Sequence, residues 1–334
     1  MTTKSDQTST HLPDRILVLG ATGTIGRATT AALVRRGYDV TCVVRPSFDP
    51  KDACTDLTGA AIMHADVTDP ASLRNAVLAA SPFDALVSCL ASRNGAPQDA
   101  WAIDHQATVQ AIKVAKAAGV KHFVLLSAIC VQKPRLAFQH AKLAAEQALV
   151  ASGLTYSIVR PTAYFKSLAG QISRVQQGKP YLLFGDGVLT ACTPISDRDL
   201  GEYLASCLSN PALKNRILPI GGPGPALTPR TQGEHLFSLL GCPAKFKHVP
   251  VGMMRGIAGM LNAASRVAPS LSAKAEFARI GLYYATESML AIDPDTGRYD
   301  RDATPSTGQD TLFDYYSAVI NGEATVERGD HSVF

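Results

Sequence analysis

The sequence lacks several features that would assign it to common functional classes. Its seven cysteines include no C-x-x-C pair and its eight histidines include no H-x-x-H pair, so we predict neither a disulfide framework nor a metal site. No apolar run has the length of a membrane span. The net charge of +4 comes without a basic run interleaved with aromatic residues, which argues against nucleic acid as a partner. Residues 1–13 are polar, lack the apolar core of a signal peptide, and are predicted to form a flexible tail.

What the sequence does have is an apolar strand that ends in a glycine turn. Residues 15–19 lead into Gly20, Gly23 and Gly26, spaced G-x-x-G-x-x-G, and a helical apolar pattern follows at once. Glycines let a pyrophosphate approach the backbone, and the helix then points its free N–H groups at the phosphates. The pattern predicts a dinucleotide-binding turn made of Gly20, Thr22, Gly23, Thr24, Ile25, Gly26 and Arg27.

The end of the second strand indicates which dinucleotide is bound. NAD-binding proteins usually place a carboxylate there, whereas residues 39–44 are followed by Arg45. A guanidinium can bind a 2′-phosphate in bidentate fashion, with Arg27 as a second partner. We therefore predict NADPH rather than NADH; the alternative for Arg45 is a solvated charge at a strand end.

Strands and helices alternate through the first half of the chain. The strands are continuous apolar runs, as expected for a parallel sheet covered on both faces, so we predict an α/β, Rossmann-type doubly wound sheet over residues 14–161. Residues 162–334 are predicted to form a smaller, mostly helical substrate-binding region whose segments 193–196 and 217–220 rejoin the main sheet. The predicted strands are 16–19, 40–44, 61–64, 85–90, 122–126 and 156–159; the main helices are 25–36, 100–118 and 136–151.

Ligands of such sheets bind beyond the carboxyl ends of the strands, which selects a second set of candidates. We expect the residues at these ends to contact the cofactor, and they are Asp66, Val67, Leu90, Ala91, Ser127, Pro161, Thr162 and Ala163. Tyr164 and Phe165 follow directly and should face the reacting end of the cofactor and the substrate.

The arrangement resembles the short-chain dehydrogenase/reductase superfamily, in which Ser or Thr after the fifth strand is followed by Tyr-x-x-x-Lys on the next helix. Ser127 and Lys142 match, and the resemblance implies that Lys142 binds the nicotinamide ribose. Phe138 stands where the superfamily has tyrosine, and phenylalanine cannot protonate an alkoxide. Either another group is the acid, or the substrate is not a ketone, or the protein is not an enzyme.

A closer resemblance runs from about Arg15 to Tyr316. Residues 126–134 with Phe138 and Lys142, then 181–187, 278–289 and 310–312, are similar to the divinyl chlorophyllide a 8-vinyl-reductase family. That resemblance implies NADPH-dependent reduction of the C8 vinyl group of divinyl chlorophyllide or protochlorophyllide a to ethyl, in chlorophyll or bacteriochlorophyll biosynthesis. Plant members carry a plastid transit segment and this sequence shows none, so we expect a cytoplasmic protein that contacts photosynthetic membranes peripherally.

Vinyl reduction explains the phenylalanine, because it creates no alkoxide. We predict that Phe138, Tyr164 and Phe165 line the substrate and that Lys142, Tyr164 and Ser127 are catalytic. Tyr164 is the first candidate for the proton source, ahead of Lys142, Cys130, His140 and water. The Met-rich stretch 251–261 packs in the core, lines the apolar cleft, or rests on a membrane as an interfacial helix. Arg255 and Arg266 then face a substrate propionate or lipid headgroups.

Two other functions keep the same fold. An isoflavone-reductase-like enzyme would reduce a C=C bond of another substrate with NADPH, and such proteins also lack the tyrosine. A redox sensor or pigment-assembly factor would bind NADPH without oxidising it. The run Tyr283, Tyr284, Glu287 and Met289 argues against the first, and Lys142 argues against the second.

Overall fold

The computed structural model describes residues 14–49, 57–80, 82–93 and 95–326 of the chain. The tail predicted for residues 1–13 lies outside these ranges. Eleven strands are present in them: β1 (Arg15–Leu19), β2 (Asp39–Val44), β3 (Ala61–His64), β4 (Ala85–Ser88), β5 (His122–Leu126), β6 (Thr155–Pro161), β7 (Tyr181–Phe184), β8 (Arg216–Ile220), β9 (Phe246–Val249), β10 (Ala291–Ile292) and β11 (Tyr299–Asp300).

The helices alternate with these strands in the first half and dominate the second. They are α1 (Thr24–Arg35), α2 (Pro70–Ala80), α3 (Pro97–Asp99), α4 (Thr108–Ala117), α5 (Ala137–Val150), α6 (Phe165–Leu168), α7 (Ile172–Gln176), α8 (Asp197–Ser209), α9 (Pro229–Leu239), α10 (Val251–Val267), α11 (Ser272–Thr286) and α12 (Leu312–Ile320). A π-helix joins α3 to α4 over Ala100–Ala107, and a 3-10 turn precedes α5 over Ile129–Gln132.

Seven strands form one parallel sheet in the order β3-β2-β1-β4-β5-β6-β8. Side chains of β1 alternate between two cores: Ile16 and Val18 pack with α1 and α8, whereas Leu17 and Leu19 pack with α2 and α4. Burial on both faces is why the strands are apolar throughout, and it confirms the predicted doubly wound α/β fold.

The part of the chain after residue 161 contributes to the same layers. Strand β8 pairs with β6, as predicted for 217–220, and Leu200 and Leu204 of α8 belong to the core that covers α1. Gly201 lets the two helices touch, because a Cβ there would lie 2.7 Å from the backbone of Ala28. The assignment of residues 162–334 as a substrate region stays a prediction.

Two predicted elements differ from the structure. Segment 193–196 is not a strand of the main sheet: Pro194 has no N–H for a ladder, and Ser196 caps α8 through the Asp199 N–H. It joins the chain at the end of β6 through a β-bridge between Ile195 and Tyr164 and a hydrogen bond from the Thr162 hydroxyl to the Thr193 carbonyl. The helix predicted over 100–118 is π-helical up to Ala107. The apolar spacing of the sequence does not reveal the wider turns of a π-helix, so this difference could not be predicted.

Several C-terminal elements pack with one another outside the main sheet. Strands β7 and β9 pair in parallel, α10 and α11 form an antiparallel hairpin, and α12 docks through Tyr316, whose hydroxyl donates to the Leu168 carbonyl at 2.7 Å. In the described ranges, no helix combines the length and hydropathy needed to cross a bilayer.

The buried imidazole of His122 predicts an acid-sensitive fold. His122 on β5 is 5% exposed, with Nε2 3.0 Å from the Ser157 hydroxyl, and burial lowers its pKa from 6.5 to about 4. The unfolded chain takes up this proton near pH 6.5 and the folded chain only near pH 4, so stability present above pH 6.5 is lost as the pH falls towards 4. Between pH 7 and 5 we expect the free energy of unfolding to fall by about 2 kcal/mol from this group.

Denaturant unfolding of the wild type and a His122→Gln variant at pH 7, 6 and 5 measures this contribution. In the variant, the free energy of unfolding is expected to lose the part of its pH dependence that comes from His122 and to keep the part that comes from other groups. An identical pH dependence in both proteins would assign the acid sensitivity to other groups.

Candidate active site

The glycine turn between β1 and α1 is shaped by backbone contacts. Gly20 has φ +72°, and a Cβ there would lie 2.6 Å from the Cys89 carbonyl. A Cβ on Gly26 would lie 2.0 Å from the Gly20 carbonyl, so this glycine is required for α1 to start against the turn. Gly23 is exposed, and the nearest atom to its Cβ position is 3.4 Å away. The open position at Gly23 fits a turn that a phosphate group covers.

The end of β2 leaves Arg45 exposed, beside the strand that leads to Asp66. Oδ1 of Asp66 accepts hydrogen bonds from the Thr68 hydroxyl (2.6 Å) and N–H (2.8 Å), and these lower the pKa of the Asp66 carboxyl. Val67 is half-buried next to it. Arg27 lines a cleft on the other side of the turn with Asp197 and Arg198 of α8.

Lys142 is held by a carboxylate that the sequence did not single out. Its Nζ lies 2.9 Å from Oδ1 of Asp104, and the two side chains are 12% and 1% exposed. Oδ1 also accepts the Ser92 N–H at 3.3 Å, whereas Oδ2 is buried with no hydrogen-bond partner among the described residues. Asp104 lies in the π-helix and is buried, and the pair lines a small cleft together with Leu90, Thr108, Leu126 and Ser127.

The Ser127 hydroxyl is engaged in a buried hydrogen-bond network. It donates to Oε1 of Glu146 at 2.5 Å, and Glu146 is itself paired with Arg160. Glu146 is 3% exposed, so the carboxylate and guanidinium compensate each other in the interior. With its proton engaged, the Ser127 hydroxyl can accept a hydrogen bond from a ligand but is not positioned as an acid. Its catalytic role stays a prediction.

The residues after β6 divide between the cleft and the core. Thr162 donates its hydroxyl to the Thr193 carbonyl, Pro161 is buried as the last residue of the strand, and Ala163 is half-buried. Phe165 is 5% exposed and its ring centroid lies 5.7 Å from that of Tyr315, so it packs in the core, and its contact with the substrate stays a prediction. Its apolar character serves the core below α12.

Tyr164 is half-buried where β6 meets segment 193–196. Burial, and then the nearby Asp197, raise the pKa of its hydroxyl above the usual 10. Tyr164 therefore keeps its proton through the neutral range, as a neutral donor must.

Phe138 stands in an apolar wall that several elements build together. It packs with Ala163 against the cluster that contains Cys130, Ile280 and Tyr283. Tyr283 of α11 donates to the carbonyls of Cys130 (3.0 Å) and Lys133 (3.1 Å), and this pins α11 over the start of α5.

Three functional candidates were missed in the sequence: Asp104, Lys166 and Tyr284. Tyr284 is 40% exposed and its ring centroid lies 5.8 Å from that of Tyr283, which belongs to the same cluster as Cys130; burial raises the pKa of the Cys130 thiol to about 11. Ala91 is exposed at the end of the β4 segment.

Within the described ranges, no group of three His, Cys, Asp or Glu side chains could hold a metal ion.

Comparison with known proteins shows the family of this chain. A family model described as NAD(P)H-binding matches residues 20–211, from the glycine turn past the end of α8. A divinyl chlorophyllide a 8-vinyl-reductase of rice (Oryza sativa subsp. indica) is 48% identical over 331 residues, covering 96% of this chain and 82% of that protein. The chain belongs to the divinyl chlorophyllide a 8-vinyl-reductase family. The resemblance seen in the sequence is thereby confirmed.

A second vinyl-reductase supports the family, and one solved structure shows the same fold. The reductase of the same name from Arabidopsis thaliana is 47% identical over 329 residues, covering 94% of the chain and 79% of that protein. Leucoanthocyanidin reductase from Vitis vinifera, solved as a binary complex with NADPH, superposes with a TM-score of 0.66 at 16% identity, covering 92% of this chain and 99% of that one. At this identity the likeness is one of fold.

Arg45 offers a direct test of coenzyme selection by this vinyl-reductase family member. If Arg45 binds the 2′-phosphate as predicted, replacing it by alanine removes one charge-assisted contact, so NADPH binding should weaken by about 1.5–3 kcal/mol while NADH binding changes little. Titration of both dinucleotides against the variant measures the difference. An equal loss for both would show that Arg45 does not read the 2′-phosphate.

Proposed function

We propose that this protein reduces the C8 vinyl group of divinyl chlorophyllide a, or of its protochlorophyllide precursor, to ethyl with NADPH, in chlorophyll or bacteriochlorophyll biosynthesis. The observation that carries the proposal is the identity of 48% with the rice reductase, maintained over 96% of the chain. The NAD(P)H-binding family model over residues 20–211 supports the coenzyme.

Different residues of the chain bind different parts of the coenzyme. The glycine turn and the first turn of α1 bind the pyrophosphate, Arg45 binds the 2′-phosphate, and Asp66 and Val67 border the adenine. Lys142, fixed by Asp104, orients the nicotinamide ribose. When bound there, NADPH supplies the hydride that adds to the vinyl group.

Phe138 and its neighbours suit a flat apolar substrate. The wall of Phe138, Ala163 and Ile280 presents carbon where a carbonyl reductase presents a tyrosine hydroxyl. Hydride addition to a vinyl group conjugated with a tetrapyrrole leaves negative charge spread over the macrocycle, so no acid is needed at position 138. We propose that residues 162–334, and α11 above all, hold the macrocycle against this wall.

One proton must still reach carbon to complete the ethyl group. Tyr164 directly follows Ala163 of the wall and is protonated at neutral pH, and Tyr284 contacts the ring of Tyr283 in the same cluster. We retain Tyr164 as the donor, with Cys130, Lys142, His140 and water as the other candidates.

The decisive experiment is turnover with the pigment. The protein is incubated with NADPH and divinyl chlorophyllide a while the absorption spectrum is recorded, and the product is separated by chromatography and weighed by mass spectrometry. We expect the Soret band to move to shorter wavelength and the pigment to gain two hydrogens per NADPH consumed. NADPH that binds but is never oxidised would favour the sensor or pigment-assembly function.

Matched tyrosine variants identify the proton donor. Tyr164→Phe should lower kcat with little change in the Kd for NADPH, while Tyr315→Phe, which alters a tyrosine packed against the core, serves as the control. Unchanged kcat in Tyr164→Phe would remove Tyr164 from the candidates.

We further propose that α10 rests on an anionic membrane surface, where a lipophilic pigment is delivered. Met253, Ile257, Met260 and Val267 are 53%, 48%, 73% and 87% exposed along one side of this helix, and Ala258 is its one buried residue. Residues 235–275 contain five Lys or Arg and no Asp or Glu. An exposed apolar stripe with cationic flanks is the pattern of an interfacial helix.

Flotation with vesicles tests the membrane contact. Vesicles of phosphatidylcholine with phosphatidylglycerol should carry the wild type upward, and pure phosphatidylcholine should carry less. Met260→Ser with Ile257→Ser should abolish flotation without changing turnover of dissolved pigment. Flotation that is insensitive to this pair would exclude α10 as the contact.

A further inference from the structure

Lys166 connects the region after β6 to the phosphate-binding turn. It lies on α6, two residues after Tyr164, and its Nζ donates a hydrogen bond to the Thr24 hydroxyl at the start of α1. The two residues are separated by 142 positions in the sequence, so the contact exists only because the fold closes the segment after β6 over the turn.

The electrostatics of this position are unfavourable for a cation alone. The first N–H groups of α1 carry the positive end of the helix dipole, and Arg27 occupies the same turn. Lys166 is half-buried, and no carboxylate oxygen of the described residues lies within 4 Å of its Nζ. A half-buried ammonium beside a helix N-terminus is stabilised once an anion lies between them.

We infer that Lys166 is a coenzyme-binding residue that contacts the pyrophosphate of NADPH from the side opposite the glycine turn. The inference rests on the proposed coenzyme function. On binding, the Lys166 ammonium exchanges its hydrogen bond with Thr24 for one to a phosphate oxygen. The pyrophosphate is then held by backbone N–H groups of α1 on one side and by α6 on the other.

This contact has a consequence for the reacting groups. Because Tyr164 and Lys166 share the segment at the end of β6, a coenzyme that binds Lys166 also fixes the backbone that carries Tyr164. Lys166 is thus a binding residue for the coenzyme and a positioning residue for the substrate side of the cleft.

Binding measurements with nucleotides of different length test the inference. The Kd values of NADPH, NADH and adenosine 2′-monophosphate are measured for the wild type, Lys166→Met, Lys166→Arg and Lys113→Met, the last an exposed lysine on α4 on the opposite face of the sheet. We expect Lys166→Met to weaken NADPH and NADH alike, by about 10- to 100-fold, because both contain the pyrophosphate. Binding of adenosine 2′-monophosphate, which lacks it, should not change, and Lys166→Arg and Lys113→Met should bind as the wild type does.

The outcomes separate this inference from the proposed reaction. Wild-type NADPH affinity in Lys166→Met would overturn the inference, as would an equal loss for adenosine 2′-monophosphate, which would indicate a damaged fold. Pigment plays no part in the assay. A protein that binds NADPH through Lys166 and leaves the vinyl group unreduced would overturn the proposed reaction and uphold the inference.

Discussion

Replacing Gly26 by valine is expected to unfold the nucleotide-binding part of this protein. A Cβ at this position would stand 2.0 Å from the Gly20 carbonyl and 2.9 Å from Cα of Ala21, both of them backbone that cannot turn away. Relief requires α1 to move off the turn, which would also break its packing against Gly201 of α8. We expect a loss of at least about 4 kcal/mol in the free energy of unfolding, measured by denaturant titration.

Gly23→Val is the matched variant in the same turn. Gly23 has φ −75° and an exposed Cβ position, so valine fits the fold and the free energy of unfolding should change by less than about 1 kcal/mol. The added methyl groups occupy the space that a phosphate group needs, and NADPH binding should be lost. Tight NADPH binding by Gly23→Val would refute the assignment of the turn, and a stable Gly26→Val would refute the steric argument.

The two glycines illustrate how much of the fold was readable from the sequence. The spacing of Gly20, Gly23 and Gly26 after an apolar strand identifies the turn. The strands 61–64 and 122–126 were predicted to the residue, and in the central strand 122–126 burial on both faces explains the continuous apolar run. Segment 193–196 was also predicted to be a strand, but a proline and a helix cap exclude it from the sheet. Local composition does not show whether a segment can make the backbone hydrogen bonds of a sheet.

The candidate site was less predictable, because its key contacts join distant parts of the chain. Asp104 meets Lys142 only through a π-helix that apolar spacing does not reveal, and Lys166 meets Thr24 only when the segment after β6 folds over the turn. Phe165 shows a second limit of sequence reasoning: its position after a strand end predicts a ligand contact but does not reveal that its ring packs in the core beside Tyr315. Strand ends identify where a ligand binds, and side-chain direction must come from the packing.

The Asp104–Lys142 pair carries the second large expected effect. Asp104→Asn keeps the size of the side chain and an oxygen that can accept the Ser92 N–H. It leaves the ammonium of Lys142, whose side chain is 12% exposed, without its carboxylate. Breaking a buried ion pair in this way costs about 3–5 kcal/mol. We therefore expect a loss of about 3 kcal/mol in the free energy of unfolding, and weaker binding of NADPH because Lys142 is no longer held in place.

A double variant separates stability from function at this pair. Asp104→Asn combined with Lys142→Met removes both charges, so stability should return to within about 1 kcal/mol of the wild type, since replacing a buried pair by uncharged groups is often nearly neutral. Turnover should stay low, because no ammonium remains for the nicotinamide ribose. A double variant as unstable as Asp104→Asn would show that Asp104 stabilises the π-helix by another contact. Restored turnover in it would show that the reaction does not need Lys142.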